Sequence, residues 1–459
     1  MTSRTATALD SKASILEAVA SAGIVGMGGG GFPTHVKLDA SADTVIANGA
    51  ECEPLLWSDK RLVIERAEEV VDGLLLAMDA VGASRGVLAV KEHYSDVMQA
   101  AQRAVGHADP SGRRLEVQGL PNIYPAGDEF TLVHMVTGRV IPEMGLPLHV
   151  GVVVSNVASL AAVSRAVRSG EPSVERFVTI TGEVARPGVY ELAVGTSVAD
   201  AIQAAGGATI SDPAVILGGP MMGPEARSLD VAVTKTTSAL LVLAQDHLVV
   251  KDRRREPRIS MRLAKAACCV CAACTEVCPR NALGHRIFPD RLMRSLAGGL
   301  TNDHEAYLGA MLCCECGLCT LHGCPMNLDP RGMNILVKRK LRESGASFDA
   351  LAEPKPHDWW SLKQVPVPRL RARLDLERYE KHQEFVGRVL PRRVSLSLRQ
   401  GAGAPSRPVV AAGDQVAAGQ LVAQAGGRIG AALHSPLAGV VESVDDEAVV
   451  LVASQGGGR

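Results

Sequence analysis

Ten of the eleven cysteines lie between positions 268 and 324, in two short runs, and no other feature constrains this chain as tightly. The first run reads CCVCAACTEVCP; Cys268, Cys271, Cys274 and Cys278 in it give C-x2-C-x2-C-x3-C-P. The second reads CCECGLCTLHGCP; Cys313, Cys316, Cys319 and Cys324 give C-x2-C-x2-C-x4-C-P. Three thiolates at x2 spacing can wrap one iron–sulfur cubane from a single tight loop, while the fourth, ahead of proline, ligates the other cluster. The spacing thus predicts Cys268, Cys271 and Cys274 with Cys324 on one 4Fe–4S cluster, and Cys313, Cys316 and Cys319 with Cys278 on a second. Zinc ribbons use two C-x2-C pairs per ion and leave the third cysteine and the Cys-Pro step unexplained. A secreted disulfide scaffold would spread its cysteines, whereas tight runs in a reducing compartment mean metal. Cys269 and Cys314 double a ligand position at x1 spacing and read as bystanders. Cys52 stands alone.

Clusters of this kind pass electrons singly, so something must feed them. The stretch GMGGGGFPTHVKL (residues 26–38) places four glycines beside a lysine. Bare backbone lets a ligand approach the main chain, and its amides can cradle a phosphate. The stretch lacks the Gly-Lys-Ser/Thr of a Walker A loop. Its Phe-Pro falls where a Rossmann helix should run on. A nucleotide would bind by another scheme; the alternative is a flexible surface loop. NADH delivers two electrons as hydride, and a flavin converts pairs to singles, so flavin plus NADH is the expectation.

The remaining bounds are broad. A chain of 459 residues with 47% hydrophobic content can bury three or more cores. A formal charge of -1 gives no pull toward nucleic acid or membrane surfaces. No apolar run approaches the ~20 residues of a spanning helix. The start, MTSRTATALDSKASILEAVASAG, carries charges where a signal peptide needs an apolar core. It reads as a first helix capped by Asp10 or Ser11 and stopped near Gly23, in a cytoplasmic protein.

Four stretches occur in order: GMGGGGFPTHVKL, ANGAECEPLLWSDKRL (residues 47–62), YPAGDEFTLVHMVTGR (residues 124–139) and SNVASL (residues 155–160). Together they resemble the FMN- and NADH-binding subunit of respiratory complex I and its Rnf-type relatives. The resemblance implies that Gly28, Gly29 and Gly31 lie against FMN and its phosphate, with Lys37 neutralising charge. It implies that Asn48 and Asn156 hydrogen-bond the isoalloxazine or the ribityl chain. Glu51, Glu53 and Glu129 match carboxylates near the nicotinamide nucleotide, and Tyr124 and Gly127 shape that pocket. Ala50, Ser155 and Asp128 depart from the complex I pattern in the Rnf-type direction.

Residues 177–207 alternate as a strand, turn at Arg186-Pro187-Gly188, form a second strand and then a helix. That order, followed by ILGGPMMG (residues 216–223), resembles the β-grasp "soluble ligand binding" domain. Residues 352–379 are rich in proline and charge and read as a linker with a short basic helix. Its Trp359-Trp360 pair reads as an anchor to its own chain. AAGDQVAAGQLVAQ and HSPLAGVVESV resemble a barrel-sandwich hybrid; without a lysine between Asp414 and Val450 it is no lipoyl or biotin carrier. His434 reads as a turn-stabilising residue.

The expected fold is multidomain α/β and α+β. It comprises a complex I-like FMN domain (1–172), a β-grasp domain (173–252), a dicluster ferredoxin domain (253–345), a linker (346–386) and a barrel-sandwich hybrid (387–459). This order, with the barrel-sandwich last, resembles the cobalamin reductases of propanediol-utilisation microcompartments. That resemblance implies electron transfer from NADH through FMN and two 4Fe–4S clusters to a corrinoid. It implies a corrinoid or corrinoid adenosyltransferase as partner, and a place in a bacterial microcompartment beside its shell proteins. Two other readings use the same cofactors: the peripheral electron-entry component of a membrane Rnf-type complex, and a non-catalytic conduit docked to a microcompartment shell.

Overall fold

A computed structural model describes residues 11–112 and 114–454. The first helix, Lys12–Ser21, is capped by Ser11, whose hydroxyl accepts from the Ser14 amide. Asp10, the other expected cap, lies outside the described residues.

Apolar runs such as TVIANG, RGVLAVK and VVVSN are too evenly hydrophobic for a one-sided sheet and suit parallel strands covered on both faces. They build a four-stranded sheet in the order Leu115–Leu120, Arg85–Lys91, Thr44–Gly49, Val152–Asn156, all parallel. The helices Ser58–Val81 and Val157–Ser169 pack on one another and on this sheet, burying Leu74, Leu76, Val157 and Leu160. Strand order reverses between Thr44–Gly49 and Val152–Asn156, and ligands of open parallel sheets sit outside the carboxyl ends at such a reversal. At that edge Asn48 stands in register with Asn156.

The β-grasp sheet runs Phe385–Val389, Gly188–Ala193, Glu175–Gly182, Ala239–Ala244, Pro213–Leu217, with the helix Val198–Ala204 against it. Its outermost strand comes from beyond the cysteine runs and straddles the boundary expected at 387. The cysteine region is helical between its two runs, through Pro279–Ala282, Pro289–Gly298 and His304–Gly309.

Residues 346–386, expected as a linker with a short basic helix anchored by its tryptophans, pack against three other regions of the chain. Val365, Val367, Leu370, Leu374 and Leu376 are buried in one core with Leu55, Tyr124 and Ile216. Val365–Pro366 pairs antiparallel with Ile123–Tyr124, and the basic helix Val367–Arg373 follows. Trp360 packs edge-on against His134 with ring centroids 4.9 Å apart. The segment is a strap across the flavin-type, β-grasp and cysteine domains.

The last domain holds two sheets, one ordered Arg393–Ser397, Ala448–Ala453, Gly439–Val444, Gln415–Val416 and the other Arg407–Pro408, Leu421–Gln424, Leu433–His434. Val394, Leu396, Val422, Leu433 and Leu451 fill the space between them.

Candidate functional site

The glycine run sits beside the carboxyl edge of the parallel sheet, and each glycine meets a different neighbour. A Cβ on Gly28 would come within 3.4 Å of the Asn156 side chain. Gly29 holds φ +107°, and a Cβ there or on Gly30 would meet nothing within 4 Å. Gly28, Gly29 and Gly30 are exposed while Gly31 is buried. A Cβ on Gly31 would fall 2.5 Å from the Gly401 Cα, and the Gly31 carbonyl accepts from the Ala402 amide at 3.0 Å. Gly31, expected against a flavin, is a joint to the barrel-sandwich domain.

The edge residues are pre-positioned by the chain itself. The Asn48 amide donates to the Gly127 carbonyl at 2.9 Å, and its oxygen accepts from the Ala50 amide at 3.1 Å. Asn156 caps the helix Val157–Ser169 through the Ala158 amide at 2.9 Å and donates to Asp59 at 2.7 Å. Lys37 Nζ donates to the Val154 carbonyl at 2.8 Å and to Glu129 at 3.1 Å, so the expected phosphate cation and nicotinamide carboxylate form one pair. The hydroxyls of Thr34, Ser58 and Ser155, around the same edge, are buried without a hydrogen-bond partner. Polar atoms left so are costly unless a ligand or water meets them.

Glu51 is half-buried, and its carboxylate accepts from the Glu53 amide at 3.2 Å. Loss of water, then the nearby Asp59 charge, pushes its carboxyl up to about 7. Sequence reasoning passed over its neighbours Asp59, Lys60 and Arg61, although their SDKRL motif was in view. All three are buried, at 6%, 4% and 5% exposure. Lys60 stacks its ammonium over Trp57 and Tyr94, and burial lowers its pKa against the pull of Glu51.

Two more expected pocket residues stand at joints between domains. Glu53 accepts from the Met221 and Met222 amides at 2.8 and 3.0 Å, in the GGPMMG turn of the β-grasp domain. Burial raises its carboxyl to about 7 despite those donors. The Tyr124 hydroxyl donates to the Cys316 carbonyl at 2.8 Å.

The cysteines surround two cavities. One is lined by Cys268, Cys269, Cys271, Cys274 and Cys324. The other is lined by Cys278, Cys313, Cys314, Cys316 and Cys319. Each takes its cysteines from both runs. Among the described residues no three His, Cys, Asp or Glu side chains converge tightly enough to hold one metal ion; the thiols stand around a space instead. Burial pushes the thiols of Cys278 and Cys313 up to about 12, which an iron ligand must overcome by binding as thiolate. Cys52 is set apart from both cavities, half-buried beside Gly127.

Comparison with known proteins assigns each region. Residues 19–165 match the Nuo51 FMN-binding domain, 177–225 the SLBB domain, 267–329 the 4Fe-4S dicluster domain, and 377–455 the RnfC barrel sandwich hybrid domain. Over 440 residues the chain is 38% identical to "Cobalamin reductase PduS" of Citrobacter freundii, spanning 95% of this chain and 96% of that one. The protein of the same name from Salmonella typhimurium matches with the same identity and coverage, 38%, 95% and 96%. A component of the "Na(+)-translocating ferredoxin:NAD(+) oxidoreductase complex" of Acetobacterium woodii is 38% identical over 271 residues, 58% of this chain and 57% of its own length.

Proposed function

Because the chain belongs to the family of the cobalamin reductases that it matches along 95% of its length, we propose that it is an NADH-dependent oxidoreductase carrying FMN and two 4Fe–4S clusters, with a corrinoid as the electron acceptor. One observation carries the reading. The wall of the Cys278 cavity is hydrogen-bonded to the flavin-type domain, from the Tyr124 hydroxyl to the Cys316 carbonyl at 2.8 Å. A hydride-handling site and a one-electron site therefore share a boundary.

The residues present fit both groups. Open space over Gly29 and Gly30 and the unpartnered hydroxyls of Thr34, Ser58 and Ser155 leave room and donors for a flavin mononucleotide. When bound, FMN accepts electrons in pairs and releases them singly. In this reading Gly28 and Gly29 hold the backbone clear for it. Lys37 offsets phosphate charge and is itself aimed by Glu129. Asn48 and Asn156, held by Gly127 and Asp59, fix the floor of the crevice. Glu51 hydrogen-bonds the nicotinamide nucleotide, and its raised pKa lets it hold a proton near neutrality. Around the two cavities, Cys268, Cys271, Cys274 and Cys324, and Cys278, Cys313, Cys316 and Cys319, are the thiolate ligands; Cys269 and Cys314 flank them. Four thiols around a cavity suit a cubane, and at the Cys278 cavity the burial of Cys278, Cys316 and Cys319 keeps water from it.

Among the described residues no helix is long and apolar enough to cross a membrane. In this reading a corrinoid adenosyltransferase and microcompartment shell proteins are partners, and a bacterial microcompartment is the location; the family resemblance supports each. The test is anaerobic stopped-flow with NADH and then hydroxocobalamin. NADH should bleach the flavin, and the cobalt should then be reduced. Normal FMN binding without bleaching by NADH or NADPH would overturn the enzyme reading and leave a relay fed by another reductase.

A further inference from the structure

The two cysteine cavities differ in what surrounds them. Cys278, Cys316 and Cys319 are each 8% exposed, and Cys274 and Cys324 of the other cavity are as deep at 9% and 7%, so the difference lies in Cys271 and in the surroundings. The Cys278 cavity is tied to the rest of the protein at three points. Tyr124 donates to the Cys316 carbonyl at 2.8 Å. Arg280, two residues past Cys278, grips Asp128 at 2.7 and 2.9 Å. Arg331, in the cavity wall, donates to the Met221 carbonyl at 2.8 Å, while the Met221 amide holds Glu53. These joints cover the sides of the cavity that face the flavin-type and β-grasp domains.

The Cys268 cavity faces outward. Cys269 and Cys271 are exposed, and Val270 and Met326 in its lining are 54% and 46% exposed. The helix Pro257–Ala267 runs into it, with Cys268 as its C-cap. This helix buries one stripe, Ser260 and Ala264. A second stripe leaves Ile259 and Leu263 50% and 48% exposed. A third carries Arg258, Arg262 and Lys265, all exposed, at the i, i+4, i+7 spacing of one helix face. Among the described residues none of these three cations is in an ion pair, and Glu256 at the helix start is the nearby acid in sequence.

We propose that the Cys268, Cys271, Cys274 and Cys324 site is the exit of the electron path, and that the collar formed by the helix Pro257–Ala267 with Val270 and Met326 docks an acidic protein surface carrying the one-electron acceptor. The inference rests on the reading of the cavities as iron–sulfur sites. Each transfer oxidises the exit site by one electron and reduces the acceptor by one, with no bond made or broken. The site is refilled from the buried one behind it. Apolar side chains beside unpaired cations match the make-up of a protein interface, and the cations steer an acidic partner onto it.

The test uses the anaerobic holoenzyme with an acidic flavodoxin as the probe partner and bathophenanthroline disulfonate as a charged iron chelator. The chelator should remove about half of the iron in a fast phase. Cys271→Ser should lose that phase, and Cys316→Ser should keep it. Flavodoxin should bind at low salt and weaken as salt screens the contact. The triple reversal Arg258→Glu, Arg262→Glu, Lys265→Glu should weaken it at least about tenfold, with iron content and flavin bleaching by NADH unchanged. Equal access of the chelator to both sites, a fast phase that survives Cys271→Ser, no flavodoxin binding, or binding indifferent to the reversal would each overturn the proposal. So would tight binding of anionic phospholipid vesicles that the same reversal abolishes, since the collar would then be a membrane site. Neither chelation nor binding needs NADH, so a failure of the NADH reading shows separately, in the bleaching.

Discussion

Replacing Gly31 and Gly30 with alanine, one at a time, separates packing from ligand access within a single loop. At Gly31 φ is +61°, where a side chain costs about 1–2 kcal/mol. The new Cβ would lie 2.5 Å from the Gly401 Cα, against a carbon–carbon optimum of roughly 3.5–4.0 Å. Residues 401–402 must therefore withdraw by about an ångström, and the Ala402 amide loses its bond to the Gly31 carbonyl, worth about 0.5–1.5 kcal/mol. Together these give roughly 1.5–3.5 kcal/mol against docking of the barrel-sandwich domain. Hydrogen exchange of peptides covering residues 398–406 should accelerate by roughly tenfold to several-hundredfold, up to the limit set by larger openings. Gly30 has neither positive φ nor a neighbour within 4 Å. Gly30→Ala should leave that exchange alone and instead weaken FMN binding, read by fluorescence of released flavin. If Gly31→Ala exchanges like the wild type, or Gly30→Ala disturbs the same peptides, the division of the loop between two partners is wrong.

Iron and labile sulfide should each number about eight per chain, and Cys271→Ser or Cys316→Ser should each remove about half, by colorimetric assay. Glu51→Gln should slow flavin bleaching by NADH about ten- to a hundredfold, the value of one charge-assisted hydrogen bond, with dithionite reduction intact. Glu53 is raised from 4.5 to about 7 on folding. Between those pH values the folded chain holds a proton that the unfolded chain releases, so its contribution to stability falls as pH rises through that window and is lost above it. At 1.36 kcal/mol per unit this amounts to about 3 kcal/mol at most. In Glu53→Gln the loss of stability between pH 5 and 8, followed by urea unfolding of the domain pair, should be smaller by up to that amount.

What was legible in the sequence was local. The cysteine spacing is set within single loops, and the two cavities draw on the runs as that spacing requires. The ββα order over residues 177–207 follows from alternation and a Pro-Gly turn, and the structure adds a cap at Ser197 for the helix. What was missed is long-range. Gly31 needs its missing side chain because of Gly401, and Glu53 is held by Met221. No periodicity carries such contacts. The packing of the strap was missed because prolines and arginines dominate its composition. Val367, Leu370 and Leu374 nevertheless keep helical spacing toward the core, while Arg369 and Arg373 stay outside. Asp59, Lys60 and Arg61 defeat the expectation that runs of charge are solvated: Asp59 accepts from Asn156, Lys60 lies over Trp57, and Arg61 donates to the Gln383 carbonyl.

The strap also dictates an order of manufacture. The strand Gly188–Ala193 is complete long before its parallel neighbour Phe385–Val389 exists. During synthesis the β-grasp sheet therefore waits with a bare edge, the kind of surface that invites wrong pairing between chains. Both cysteine runs emerge within that interval, because Cys324 precedes Phe385 in the chain. The thiols of both runs are therefore on the chain before the sheet can be completed. Until residues 385–389 have been made, that edge of the β-grasp sheet lacks its partner whatever the state of the thiols.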